Sequence, residues 1–253
     1  MKRRKALSNI AATSMAPLAV VGSNRVNLQS ESAEIYELRT YEMTFGNSHA
    51  ILIDHLKNTL RPALQSKGVS QFVLMDELGE DEPKKIWLLI AYPDANSYLS
   101  CQQISEDSGF IAASQDYVQS TIDRKVYNRY TSMLLSAFDG MKHMSSVKEN
   151  TSLLELRIYE GQNDDAVRRK IAMFNNEEID LFLRVGLHPV LFGNLIAGPY
   201  RPALVYMLQF EDMEERKANW SKFGAHPDWN AMKVKPEYAK SVSNIRKMFL
   251  RPI

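Results

Sequence analysis

The sequence predicts an α+β fold: two tandem ferredoxin-like βαββαβ units packed as a pseudo-dimeric α+β barrel. Three observations lead there. The segment IYELRTYE at 35–42 recurs as LLELRIYE at 153–160, with five of eight positions identical. The offset of 118 then persists, so that Gly68 falls on Gly186, Ile86 on Leu204, Tyr92 on Phe210 and Asp94 on Asp212. Both copies also carry the same order of strand and helix signals, which marks a duplicated unit.

Each copy opens on the Glu-x-Arg-x-Tyr strand, which alternates with period two. A helix follows. In the first copy Leu52, Leu56, Leu60 and Leu64 recur every four residues as one apolar stripe. In the second, Val167, Ile171, Phe174, Phe182 and Val185 take that role. Gly68 and Gly186 stand where a helix ends on glycine. A second strand is predicted over Gln71–Met75 and Val190–Ile196, and a strongly apolar third over Ile86–Tyr92 and Ala203–Phe210. Asp94 and Asp212 are N-caps for a second helix. A last strand closes each unit near Met133–Phe138 and Ile245–Leu250. The order β-α-β-β-α-β gives one antiparallel sheet with its helices on one face. Two such sheets, closing face to face, hide each other's open side.

The domain division that follows is an export signal and N-terminus over 1–32, a first unit over 33–138, a linker over 139–151 and a second unit over 152–253. The start, Met-Lys-Arg-Arg-Lys, is strongly basic. A mild apolar stretch of about twelve residues, Ile10–Val21, follows it. It falls short of the about twenty residues that span a bilayer, so the pattern is that of a secretory leader. Arg3-Arg4 points to the twin-arginine route, although Ala6 stands where a larger apolar residue is usual. The chain is expected to be exported to the periplasm or beyond, with no stable membrane insertion once the leader is removed.

Thirty-one basic against thirty acidic residues leave a net charge of +1, which argues against a nucleic-acid partner. The lone Cys101 can form no internal disulfide and reads as a packing residue. His49 and His55 are six apart, the wrong spacing for a shared metal on one helix face, and no metal site is expected. No phosphate loop, dinucleotide fingerprint or nucleophile elbow occurs.

Strand alternation puts Tyr36, Leu38 and Thr40 on one face and Glu37, Arg39 and Tyr41 on the other. Likewise it separates Leu154, Leu156 and Ile158 from Glu155, Arg157 and Tyr159. The apolar faces are expected to meet the helices, turning the Glu-Arg-Tyr faces into the space between the sheets. Two readings of that polar layer stand. In one, Glu37–Arg39 and Glu155–Arg157 are structural ion pairs that spare each other burial without a partner. In the other, the six residues line a cavity for a small anionic or carbonyl-bearing ligand, because Arg forks grip carboxylates and phosphates and Tyr can donate a proton.

The second copy resembles the NIPSNAP family. The resemblance rests on the Glu-Leu-Arg-x-Tyr-Glu strand, the ending Phe210-Glu211-Asp212, the helix with Arg216 and Trp220, the run Phe223 to Trp229 (FGAHPDW), and the close Met248-Phe249-Leu250-Arg251-Pro252. It is weaker in the first copy, where no His-Pro-Asp-Trp run follows Tyr98. The family is similar in fold to the dimeric α+β barrels, which include cofactor-free monooxygenases, isomerases and haem proteins. The resemblance therefore implies a small-molecule barrel of the oxygenase or isomerase kind, with no cofactor. The alternatives are a non-enzymatic interaction module and a haem-binding barrel with His188 or His226 as axial ligand. Homo-oligomer formation stays open.

Overall fold

A computed structural model describes residues 32–44, 49–79, 82–122 and 124–253. The expected export signal lies outside the described residues. The first copy contributes β1 (Ile35–Met43), α1 (residues 50–65), β2 (Gln71–Glu77), β3 (Lys85–Tyr92), α2 (Ala95–Gln102), α3 (Ser108–Ala113), α4 (Gln115–Thr121) and β4 (Tyr127–Ala137). The second contributes β5 (Leu153–Glu160), α5 (residues 164–184), β6 (His188–Ala197), β7 (Ala203–Phe210), α6 (Met213–Ala225), α7 (Pro227–Met232) and β8 (Asn244–Pro252).

Eight antiparallel strands close into a barrel in the order β1-β3-β2-β8-β5-β7-β6-β4. Each copy supplies four neighbours in the ferredoxin-like order, and the two seams are β2 with β8 and β4 with β6. The predicted duplication is thus the architecture. Capping follows the sequence: Asp94 accepts from the Ser97 N–H at 2.7 Å, and Asp212 accepts from the Glu214 and Glu215 N–H groups. Gly68 and Gly186 adopt φ of +91° and +83°, where a side chain would be strained. The repeat reaches further than apolar periodicity shows. Both α1 and α5 contain a π-helical turn, Leu56–Leu60 and Phe174–Glu178, again 118 apart.

The expected strand phase is reversed. Leu38, Leu89, Leu156, Ile158 and Met207 pack together inside the barrel, with no helix among their neighbours in that cluster. Tyr41 packs instead with Leu52, Leu56 and Leu60 of α1, and Tyr159 with Phe174 and Phe182 of α5. The Glu-Arg-Tyr faces therefore lie under the helices. The physical reason is closure. An eight-stranded barrel is only wide enough for side chains to fill, so its interior takes the more apolar face. The helical layer can answer a buried charge with polar side chains of its own.

β4 also begins earlier than predicted, at Tyr127 rather than near Met133. Its added stretch, Tyr-Asn-Arg-Tyr-Thr-Ser, reaches an open barrel end where neither face is fully buried, so no alternation announces it.

The two ends of the barrel differ. The segment between the copies folds over one of them. Met144 joins the interior cluster and Val147 packs against it. The Met144 N–H donates to Glu34 Oε2 at 2.6 Å, the Ser145 N–H to the Val190 carbonyl at 2.9 Å and the Lys148 N–H to Gln209 Oε1 at 2.8 Å. That end is stoppered. The other, at the C-terminal end of β1, is open.

Candidate functional site

The six predicted residues form two separate buried polar layers, one per copy, and neither faces the barrel interior. In the first, Arg39 grips Glu37 with both prongs, Nε to Oε1 at 2.8 Å and Nη2 to Oε2 at 2.9 Å. Tyr92 Oη and Ser132 Oγ complete the carboxylate at 2.9 and 2.6 Å. Burial pushes the Glu37 carboxyl up, but Arg39, Ser132 and Tyr92 outweigh it and hold it below the usual range. Tyr41 packs at 5.1 Å from the Tyr130 ring, and burial pushes its hydroxyl up to about 12.

In the second layer Glu155 is wholly buried and receives two guanidinium groups. Arg157 Nε donates at 2.8 Å, while Arg216 of α6 donates from Nε and Nη2 at 2.9 and 2.8 Å. Trp220 Nε1 adds a fourth donor at 2.8 Å, and its ring stacks on Arg157 at 3.8 Å. Against burial, the Arg216 hydrogen bonds and the Arg157 charge hold this carboxyl low as well. Tyr159 Oη accepts from Arg157 Nη1 at 3.2 Å and meets Tyr206 Oη at 2.8 Å. Beside it lies a pair that sequence reasoning missed, Lys170 Nζ to Glu178 Oε2 at 2.6 Å, both buried. Its signal was available: the repeat places Lys170 and Glu178 at the positions of the buried Leu52 and Leu60.

Arg39 and Arg157 thus spend their donors on neighbours within their own layers. The geometry is that of satisfied ion pairs. The expectation that these six line a cavity between the sheets is overturned by the strand phase.

The barrel has a cavity elsewhere. At the open end a space of about 440 Å³ is floored by Trp87, Met133, Ile158 and Met248. Its walls include Thr40 and Thr131, and its rim carries Lys85, Arg129 and Arg246 against Glu42 and Glu77. Lys85 approaches Glu77 at 3.5 Å and Arg246 pairs with Glu160 at 2.5 Å. Among the described residues, no carboxylate lies within salt-bridge distance of Arg129, whereas Lys247, opposite Arg157 on the helix side, sets its Nζ over the Phe249 ring at 5.4 Å. Trp87 Nε1 donates to Glu77 Oε2 at 3.3 Å, which orients the indole. Of the faces read from sequence, only the continuation of the inward one, Thr40 and Ile158, reaches this cavity. The rest depends on which strand ends the closure brings together.

His188 and His226 stand apart from both places. His226 caps α7, its Nδ1 accepting from the Asp228 N–H at 3.2 Å. His188 sits in a surface depression of about 340 Å³ with Lys148 and Gln209, and burial together with Lys148 pushes its imidazole down. His226 commits its Nδ1 to that cap, and the depression at His188 is lined by Met141, Ile179 and Leu183 as well as by its polar neighbours. Among the described residues no three His, Cys, Asp or Glu side chains gather into a metal-binding group. Cys101 is buried, and burial pushes its thiol up.

Comparison with solved structures agrees with the fold. A putative monooxygenase from Fusobacterium nucleatum is 10% identical with a TM-score of 0.54, over 87% of this chain and 93% of that one. A mutant chlorite dismutase from Candidatus Nitrospira defluvii is 8% identical with a TM-score of 0.50, over 88% and 93%. A NIPSNAP-like domain protein from Burkholderia xenovorans is 22% identical over 42% of this chain and 88% of its own, with a TM-score of 0.38. No curated protein matches. The NIPSNAP family model matches residues 154–253, which span β5 to the C-terminus. By that match, the second copy, from β5 to Ile253, is a NIPSNAP domain.

Proposed function

We propose that the protein binds a small anionic molecule in the open end of its barrel. The supporting observation is the contrast between the two ends: one is stoppered by Met144, while the other holds a cavity with an apolar floor and a rim bearing Arg129, a cation with no carboxylate at salt-bridge distance among the described residues. A concave site that joins an apolar floor to convergent polar groups at its edge is a form that small-molecule sites take. The rim draws the anion in and fixes its orientation, and the floor removes apolar surface from water. The expected ligand class is kept from the sequence analysis, while its site moves from the Glu-Arg-Tyr layers to the mouth. The basic start and the short apolar stretch at 10–21 support placing this binding outside the cytoplasm.

Titration calorimetry of the full chain with benzoate tests the reading. One saturable site is expected. Arg129→Ala weakens it about tenfold, which is about 1.4 kcal/mol, at an unchanged melting temperature. Absence of saturable binding, or an affinity indifferent to that substitution, contradicts it.

A further inference from the structure

Tyr200 is the anomaly of the open end. It lies in the turn between β6 and β7 with φ of +75°, a region that bulky side chains avoid. Pro199 precedes it, and after a turn proline a left-handed position favours glycine or asparagine. A tyrosine held there is over-determined by its surroundings, and strain of this kind gathers at binding sites. Its surroundings are visible. The Arg246 guanidinium stacks on the ring at 4.2 Å and is itself tied to Glu160. The ring is partly exposed and borders the cavity.

The floor adds a second constraint. Trp87 is buried and oriented by Glu77, with the thioethers of Met133 and Met248 beside it. Thioethers and indole both make favourable contacts with aromatic rings. Depth is the third. Below the floor the interior is filled by Leu38, Leu89, Leu156 and Met207, each at most 1% exposed. A long acyl chain would have no channel to follow, whereas a short, flat molecule fits the space.

We infer that the ligand class of this site is a planar aromatic carboxylate, with Tyr200 as its stacking residue and specificity determinant. This rests on the proposal that the mouth binds a small anion. In the bound state the aromatic ring lies between the Trp87 floor and the Tyr200 rim, and its carboxylate meets Arg129. The turn tyrosine selects flatness, and the closed floor selects against length.

Calorimetry of the full chain with three carboxylates separates the claims. With 2-naphthoate, binding at least tenfold tighter than with cyclohexanecarboxylate is expected, and dodecanoate binds more weakly than naphthoate. Tyr200→Gly removes the strained side chain without unfolding the turn, and is expected to weaken naphthoate about tenfold while leaving cyclohexanecarboxylate within twofold. Tyr200→Phe keeps wild-type naphthoate affinity. Equal or tighter binding of cyclohexanecarboxylate or dodecanoate overturns the aromatic assignment and leaves the anion-binding mouth standing. Naphthoate affinity unchanged in Tyr200→Gly overturns the role of Tyr200. No binding of any of the three overturns the mouth itself, and this inference with it.

Discussion

The two helix–sheet layers begin from the same motif and answer it with different partners. Glu37 is completed by Tyr92 and Ser132, Glu155 by Arg216 and Trp220. The repeat places Arg216 and Trp220 at Tyr98 and Gln102 and Tyr92 at Phe210, and the strand register places Ser132 at Lys247. None of these partner pairs is kept, yet both carboxylates stay buried and satisfied. Both bonds from Arg to the Glu two residues before it persist. What the strand needs is a closed set of donors around a buried carboxylate, and several side-chain sets supply it. A residue pattern held in common by two halves therefore marks a packing requirement here, and a pocket has to be sought where the halves meet solvent.

The comparison is most easily broken at the carboxylates. Glu155→Ala strands two largely covered guanidinium groups and is expected to cost about 3–5 kcal/mol, the range for removing one partner of a buried pair. Glu37→Ala strands one, covered to the same extent, and costs less. Thermal melts of both variants check the order, and a larger loss for Glu37→Ala would contradict it. The Lys170–Glu178 pair sharpens the comparison, since the first copy fills the same places with Leu52 and Leu60. Lys170→Leu alone leaves Glu178 buried without its cation, and loses more stability than Lys170→Leu with Glu178→Leu. The double variant is expected within about 1 kcal/mol of the parent or above it, because apolar replacement of a buried pair is often neutral or stabilising. A double variant less stable than the single would show that the pair is needed for more than packing.

The smallest effect is on pH. Glu37 and Glu155 are both held below the ordinary carboxylate range. Such groups contribute stability that is complete above their unfolded pKa of about 4.3 and is lost as pH falls through the depressed folded value. Acid denaturation followed by circular dichroism is expected to flatten in Glu155→Gln and in Glu37→Gln. An unchanged acid limb in both would remove the buried carboxylates from the account of stability.

Much of the architecture was legible in the residues. The IYELRTYE and LLELRIYE segments, Gly68 with Gly186 and Asp94 with Asp212 all report local geometry, which sequence patterns carry directly. The two faces of each strand were legible, as in Leu154, Leu156 and Ile158 against Glu155, Arg157 and Tyr159, but which of them meets the helices was not. Only closure decides which face must do without polar partners. The mouth was hidden for a different reason. Trp87, Arg129, Tyr200 and Met248 lie on four elements, and what gathers them is register around the barrel, including the seam where Met75 faces Pro252. No local pattern encodes that distance. Lys170 and Glu178 were within reach, had the two helices been aligned residue by residue.

The central claim is that the binding site is the open barrel end and that the Glu-Arg-Tyr layers are structural. A crystal of the full chain soaked with 2-naphthoate tests it most directly. Density is expected between Trp87 and Tyr200, with the carboxylate toward Arg129. Density under α6 beside Arg157 and Trp220, with the barrel end empty, would contradict it.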